Sequence, residues 1–292
     1  MRFKLRHVTS YDYAEQVDLA SHMLHLSPRA LPWQQVEDLR IICAPMPART
    51  SHALDHFGNA VQWVFIDSPH GALKVVAEAT VTVAFPPQPA AAATPAWETI
   101  VAESREAGPA AWEAARFLYP GPLVPNDQGA GPYAAQSFPP GRPILEGLLD
   151  LNSRIKRDFA FRPFSTTITT SVARVIAQRA GVCQDFAHLM IAGLRALGLP
   201  ARYTSGYIRT APPPGQPRRV GADVSHAWVG AWLGPAHGWI DLDPTNNLVV
   251  REEHVVLGWG REFSDVSPLR GIILGGGTHG LAVSVDLEPL PA

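Results

Sequence analysis

The sequence predicts an α+β protein: an N-terminal antiparallel β-sandwich, then a run of helices, then a second antiparallel sheet. Three observations predict it. From Arg2 to Phe85, β-branched and aromatic residues alternate with polar ones at period two, as in "LKVVAEATVTVAF". After Pro143, "ILEGLLDLNSRIKRDF" and "TTSVARVIAQRAG" carry apolar residues at helical spacing. From Ala201 the period returns to two in "ARYTSGYIRT", "SHAWVGAWL", "GWIDLDP" and "LAVSVDLEP". Helices grouped ahead of strands favour α+β over alternating β/α units.

The elements divide the chain into a β-sandwich domain over 1–85, a linker over 86–142 and a second domain over 143–292. In the first, "YDYAEQVDL", "DLRIICAP" and "AVQWVFI" read as strands, with "DHFGNAV" as a turn. The linker opens on "PPQPAAAATP". Two short helices split by Gly108-Pro109 follow, then an extended surface excursion over 119–143. In the second domain Thr170 or Ser171 is a candidate N-cap and Gly181 a C-terminal stop. "GGG" at Gly275–Gly277 lacks the lysine of a phosphate loop and reads as a turn.

Composition excludes several classes. Hydrophobic residues make 46% of 292, enough for a sizeable core. Net charge is −2 with basic residues scattered, so no nucleic-acid partner is expected. No apolar run approaches the ~18 residues of a membrane span, and the N-terminus lacks the apolar core of a signal peptide. A cytoplasmic protein without membrane contact is expected. Two cysteines make no disulfide framework, so Cys43 and Cys183 are expected as free thiols.

Cys183 stands between a glycine turn and a nearly unbroken apolar run, "CQDFAHLMIAGLRALG". Only His188 and Arg195 interrupt it from Phe186 to Leu197, and their seven-residue spacing puts both on one face, leaving the rest for burial. The helix begins at Cys183, so unpaired amides and the positive end of the helix dipole surround the sulfur and favour the thiolate. An inert buried cysteine is the equal alternative on this segment alone.

A partner histidine separates the two. His226 opens a strand whose alternation puts His226, Trp228 and Trp232 on one side and Ala227, Val229 and Ala231 on the other, with the small residues fitted to a helix. In "GWIDLDPTNN", Trp239, Asp241 and Asp243 share a face and Pro244 stops the ladder. A carboxylate there can fix the imidazole tautomer, and Asp243, next to the proline, is better placed than Asp241. Turn capping is the competing role for both aspartates.

The ordered motifs "GVCQDFAHLMIAGLRALGLPARYTSGY", "SHAWVGAWL" and "GWIDLDPTN" resemble the transglutaminase-like superfamily of papain-fold cysteine enzymes. The N-terminal segment, with "HMLHLSPR" and "DHFGNAV", resembles the β domain of bacterial transglutaminase-like proteins, and the tail "REFSDVSPLRGIILGGGTHGLAVSVDLEP" is also similar. The resemblance implies a papain-like core with Cys183 as nucleophile, His226 as base and acid, and Asp243 as the residue orienting it. Gln184, Trp228 and Tyr207 are candidate substrate contacts. It implies no cofactor, and a peptide or protein amide as substrate. The tryptophan that animal transglutaminases place upstream of the cysteine as an oxyanion donor has no counterpart in "LEGLLDLNSRIKRDFAFRPF".

The expected activity is hydrolysis of amides through a thioester. Transfer to an amine, as in a protein-glutamine transglutaminase, is the alternative, and arylamine acetyl transfer a weaker one. A non-catalytic peptide-binding scaffold, with a partner protein on the N-terminal domain, is the reading from another class. No metal is expected: His22 with His25 and His52 with His56 lack helical ligand spacing, and a set of His226, His237 and Asp241 leaves Cys183 unexplained. The stretch 211–223, "APPPGQPRRVGAD", with Arg218 and Arg219, is a candidate flap over the cleft.

Overall fold

The computed structural model describes residues 1–125, 129–210 and 223–291. Strand β1 (Arg2–Leu24) is the spine of the first layer: Phe3, Leu5, His7 and Thr9 are buried while Arg2 and Lys4 are exposed. With β2 (Gln34–Ala44), β3 (Arg49–Leu54), β4 (Ala60–Ile66) and β5 (His70–Val83) it makes an antiparallel sheet of order β2-β5-β1-β4-β3. β1 pairs with β5 along its first half and with β4 along its last five residues, with a register shift between Asp12 and Val17. Such a shift bends a strand. The sheet therefore curls, and its two halves share a core of Leu24, Cys43, Val64, Ile66, Leu73 and Val75.

The connecting segment holds α1 (Trp97–Glu103) and α2 (Pro109–Ala115), split at Gly108 as the sequence indicates. Residues 119–143 correct the expectation of a surface excursion. They contain α3 (Ala130–Ala135), which buries Ala130, Tyr133 and Ala134. Small residues allow this: a Cβ added at Gly193, on a neighbouring helix, would stand 2.7 Å from Ala134 Cβ. A segment so poor in large apolar residues carries no helical period to read.

α4 (Ile144–Asp158) buries Ile144, Leu148, Leu151 and Ile155 along one face. β6 (Ala160–Phe161) follows, then α5 (Val172–Gln178), whose N-cap Ser171 accepts from the Arg174 amide. α5 stops at Arg179, in the left-handed region at φ 50°, two residues before the glycine expected to end it. Gly181 lies instead in β7 (Ala180–Gly181), which pairs with β6. α6 (Cys183–Ala196) comes next.

The second sheet comprises β8 (Ala201–Ile208), β9 (Val224–Trp232), β10 (Trp239–Asp243), β11 (Leu248–Val249) and β12 (His254–Gly260), in the order β11-β10-β9-β8-β12. Ala227, Val229 and Ala231 of β9 share a core with Phe186, Met190 and Leu194 of α6, so the small-residue face does receive the helix. The polar face of α6 is also covered. His188 accepts from the Phe263 amide, and the Arg195 guanidinium donates to the carbonyls of Phe117, Ala201 and Arg261.

The last strands, β13 (Leu269–Gly275) and β14 (His279–Pro289), fall within the 143–292 segment but pair with β1, not with the second sheet. They cover the edge of β1 that β4 and β5 leave bare. The two sheets meet through Phe3, Leu5 and Val81 on one side and Tyr207, Val255 and Leu257 on the other. Among the described residues no helix is long and apolar enough to cross a membrane. The flap residues 211–222, including Arg218 and Arg219, lie outside the described residues.

Candidate active site

Antiparallel pairing of β9 and β10 sets Leu242 opposite Val229, so the end of β10 lies beside the start of β9. His226 and Asp243 meet there: Nε2 lies 2.8 Å from Asp243 Oδ2. Nε2 is thereby occupied, and Nδ1 is the nitrogen left for a second partner. Cys183 is the second polar group that acts on this imidazole. Burial lowers the affinity of His226 for a proton, but the hydrogen bonds and charges of Asp243 and Cys183 outweigh it and push its pKa up to about 10.

Asp243 is wholly buried and does two things at once. Oδ1 accepts from the Thr245 amide at 2.9 Å and the Asn246 amide at 3.2 Å, which caps the turn after Pro244. Oδ2 takes the imidazole and, at 2.7 Å, the Asn246 side-chain amide. Turn capping and histidine orientation are therefore one function of a single carboxylate. Burial alone would raise the Asp243 pKa; the His226 bond, the nearby His254 imidazole and the Asn246 side-chain amide hold it well below the usual carboxylate range. Asp241, the other candidate, lies instead beside the Arg202 guanidinium at 3.7 Å.

Cys183 is half-buried at the first position of α6. Its local frame is tied down by Asp185, whose Oδ2 accepts from the Val182 amide and the Thr166 hydroxyl, each at 2.7 Å. At that position the Cys183 amide has no acceptor within the helix, which leaves an N–H beside the sulfur.

The structure brings Cys183, His226 and Asp243 together but not the expected substrate contacts. Trp228 is wholly buried, packed edge-on to His254 at 5.3 Å and tilted against His226 at 6.2 Å. Tyr207 is wholly buried between the sheets, with its hydroxyl 2.9 Å from His7 Nδ1. Neither is open to a ligand: the register puts them on opposite faces of the second sheet, Trp228 packed with Val256 and Trp259 and Tyr207 with Phe3, Leu5 and Val255. The Gln184 side chain donates to the Ile168 carbonyl at 3.0 Å. The metal-type grouping among the described residues is His226, Asp243 and His254, with ligand atoms within 4.8 Å of one another, and not His226, His237 and Asp241.

Sequence reasoning missed Asn246 and His254. Asn246 carries a signal in retrospect, since an asparagine three residues after an aspartate in a proline turn is placed to bond back to it. His254 carries only that of a histidine opening an apolar strand.

The fold and family define a protein of the cysteine-type acyl-transfer class. The chain belongs to the transglutaminase-like superfamily, which it matches over residues 134–244, and it matches the bacterial transglutaminase-like N-terminal region over residues 3–82. An uncharacterized protein of Mycobacterium tuberculosis is 40% identical over 303 residues, covering 99% of this chain and 93% of that one. A crystal structure of a candidate cysteine protease from Cytophaga hutchinsonii shares the fold, with a TM-score of 0.74 and 22% identity over 100% of this chain and 92% of that one. A protein-glutamine gamma-glutamyltransferase of Pseudomonas aeruginosa is 35% identical over 100 residues, covering 32% of this chain and 15% of that protein.

Proposed function

We propose that the protein is a cysteine hydrolase of peptide or protein amides, acting in the cytoplasm without cofactor, nucleic acid or membrane. The observation that supports this most is the setting of His226, bonded to Asp243 at 2.8 Å through Nε2 and raised in its affinity for a proton by both Asp243 and Cys183. Cys183 Sγ attacks the amide carbonyl carbon, and the carbonyl π pair moves onto oxygen, which the Cys183 amide stands to receive. The intermediate collapses with cleavage of the C–N bond, and His226 gives its proton to the departing amine. Water, losing a proton to His226, then attacks the thioester carbonyl; the C–S bond breaks and the acid leaves.

A second reading, protein-glutamine transglutaminase, is favoured by the Pseudomonas relative named for that activity. It differs only in the resolving nucleophile, an amine in place of water. A mixture of glutamine-containing peptides and peptide amides, supplied with and without a fluorescent primary amine, separates the two. Acid products in both samples are expected. Amine incorporation that displaces hydrolysis would give the second reading, and no product in either, with Cys183 unreactive toward alkylation, would overturn both.

A further inference from the structure

β12 pairs with β8 along one edge. Its other edge is satisfied by side chains of the N-terminal layer. Gln34 bonds Val256 twice: Nε2 donates to the carbonyl at 2.7 Å, and Oε1 accepts from the amide at 2.8 Å. Asn59 repeats the pattern at Trp259, donating to the carbonyl at 2.8 Å and accepting from the amide at 3.0 Å. Both side chains are buried. The fit is tight, since a Cβ at Gly258 would stand 2.7 Å from Asn59 Oδ1. The Trp259 ring is held between the Arg29 and Arg202 guanidinium groups, each 3.8 Å from its centroid.

The strand located in this way begins with His254. Its imidazole is buried, packed against Trp228, and its Nε2 lies 3.6 Å from Asp243 Oδ2. Neither ring nitrogen has a hydrogen-bond partner at normal distance. A buried donor without a partner is costly unless it is used in another state of the site. A ring shift of under ~1 Å closes 3.6 Å to a hydrogen bond. Gly206, on the intervening strand, lets Trp228 and β12 close in: a Cβ there would stand 2.1 Å from the Val255 carbonyl and 2.3 Å from the Trp228 ring.

We propose that His254 is a positioning residue for the Asp243 carboxylate, and that the N-terminal layer holds it in place through Gln34 and Asn59 on β12. The inference rests on the reading of Cys183, His226 and Asp243 as a catalytic set. When His226 surrenders its proton, Asp243 loses its charged partner, and a His254 N–H beside Oδ2 keeps the carboxylate from rotating away. The charged and titratable groups facing His254 are Asp243, Asp241 and His226, with Arg202 beside Asp241. The N-terminal layer thereby takes part in the site without reaching the substrate.

The test is the pH profile of iodoacetamide alkylation at Cys183 in the full chain, for wild type, His254→Phe, His254→Gln, Gln34→Leu and His226→Ala. His254→Phe should move the rise in rate upward by about one pH unit, which makes the reaction about tenfold slower below the midpoint. His254→Gln, which restores an N–H donor, should recover most of that loss. Gln34→Leu should shift the profile the same way by less. A His254→Phe profile that superimposes on wild type while His226→Ala is displaced overturns the role of His254 and leaves the catalytic reading standing. Superposition of His226→Ala on wild type overturns the catalytic reading and this inference with it. If His254→Phe does not fold, Gln34→Leu decides the matter: its profile at wild-type position would overturn the proposal.

Discussion

The chain carries its own control experiment in its two free thiols, Cys43 and Cys183. Cys43 lies on β2 among Val64, Ile66, Leu73 and Val75, and burial pushes its pKa up to about 11. Cys183 is half-buried at the first turn of a helix and acts on a histidine that is bonded to a wholly buried aspartate. The same functional group is therefore a packing unit in one layer and a nucleophile candidate in the other. A thiol acquires reactivity from its polar neighbours, and the curled sheet supplies none to Cys43.

The sharpest way to break the comparison is to remove each thiol in turn. Cys183→Ala should abolish turnover and all iodoacetamide labelling near neutral pH, whereas Cys43→Ala should leave both close to wild type. Peptide mass spectrometry of the labelled protein reads the outcome, and label on Cys43 in the native protein would void the contrast. His226→Ala comes next. It should cost turnover at least ~10²-fold and nearly as much as losing the cysteine, because the two act as one unit. Asp243→Asn should cost less than that, since an amide oxygen still accepts from the imidazole. An Asp243→Asn variant as inactive as His226→Ala would mean that the charge of Asp243, and not only its placement, is required.

Much of this site was legible in the sequence because its parts announce themselves locally. Gly181 and the apolar run mark the thiol at a helix start, period-two alternation puts His226 opposite the small residues, and Pro244 marks a strand end at Asp243. His254 was not legible, since its relation to Asp243 depends on the order of strands in the sheet, which local periodicity does not encode. The burial of Trp228 and Tyr207 was hidden for a related reason: alternation separates two faces of a strand but does not say which is covered by another layer. The same limit hid the pairing of β13 and β14 with β1. Their strand character was plain, and their destination was set by an open edge some 250 residues earlier.

Linkage between pH and stability sharpens the contrast from the histidine side. In the unfolded chain a histidine titrates near pH 6.5, and in the fold His226 is held up to about 10. The stabilisation that comes from its proton is therefore complete below about pH 6.5 and is lost as pH rises toward 10. Urea unfolding of wild type and His226→Phe should show the wild-type advantage shrinking across that window. An advantage that grows with pH would mean that His226 is folded in the neutral form. His7, whose pKa burial lowers to about 4, supplies the opposite slope: the unfolded chain binds its proton first, so stability falls as pH drops from about 6.5 toward 4.

The smallest effect is expected at Cys43, where only packing is at stake. It shares its core with Leu73 and Val75 on the adjoining β5 and with Val64 and Ile66 on β4. Cys43→Ala removes one heavy atom from that core and should cost about 1 kcal/mol, through lost transfer energy and the cavity left behind. Cys43→Val nearly conserves volume and suits a strand, so it should cost less. Cys43→Ser buries a hydroxyl among aliphatic side chains and should cost the most of the three. Denaturant midpoints give the order directly: valine, alanine, serine from mildest to most severe follows from packing alone. Serine at or above wild-type stability would mean that the Cys43 site holds a polar partner, and the two thiols would then differ in degree and not in kind.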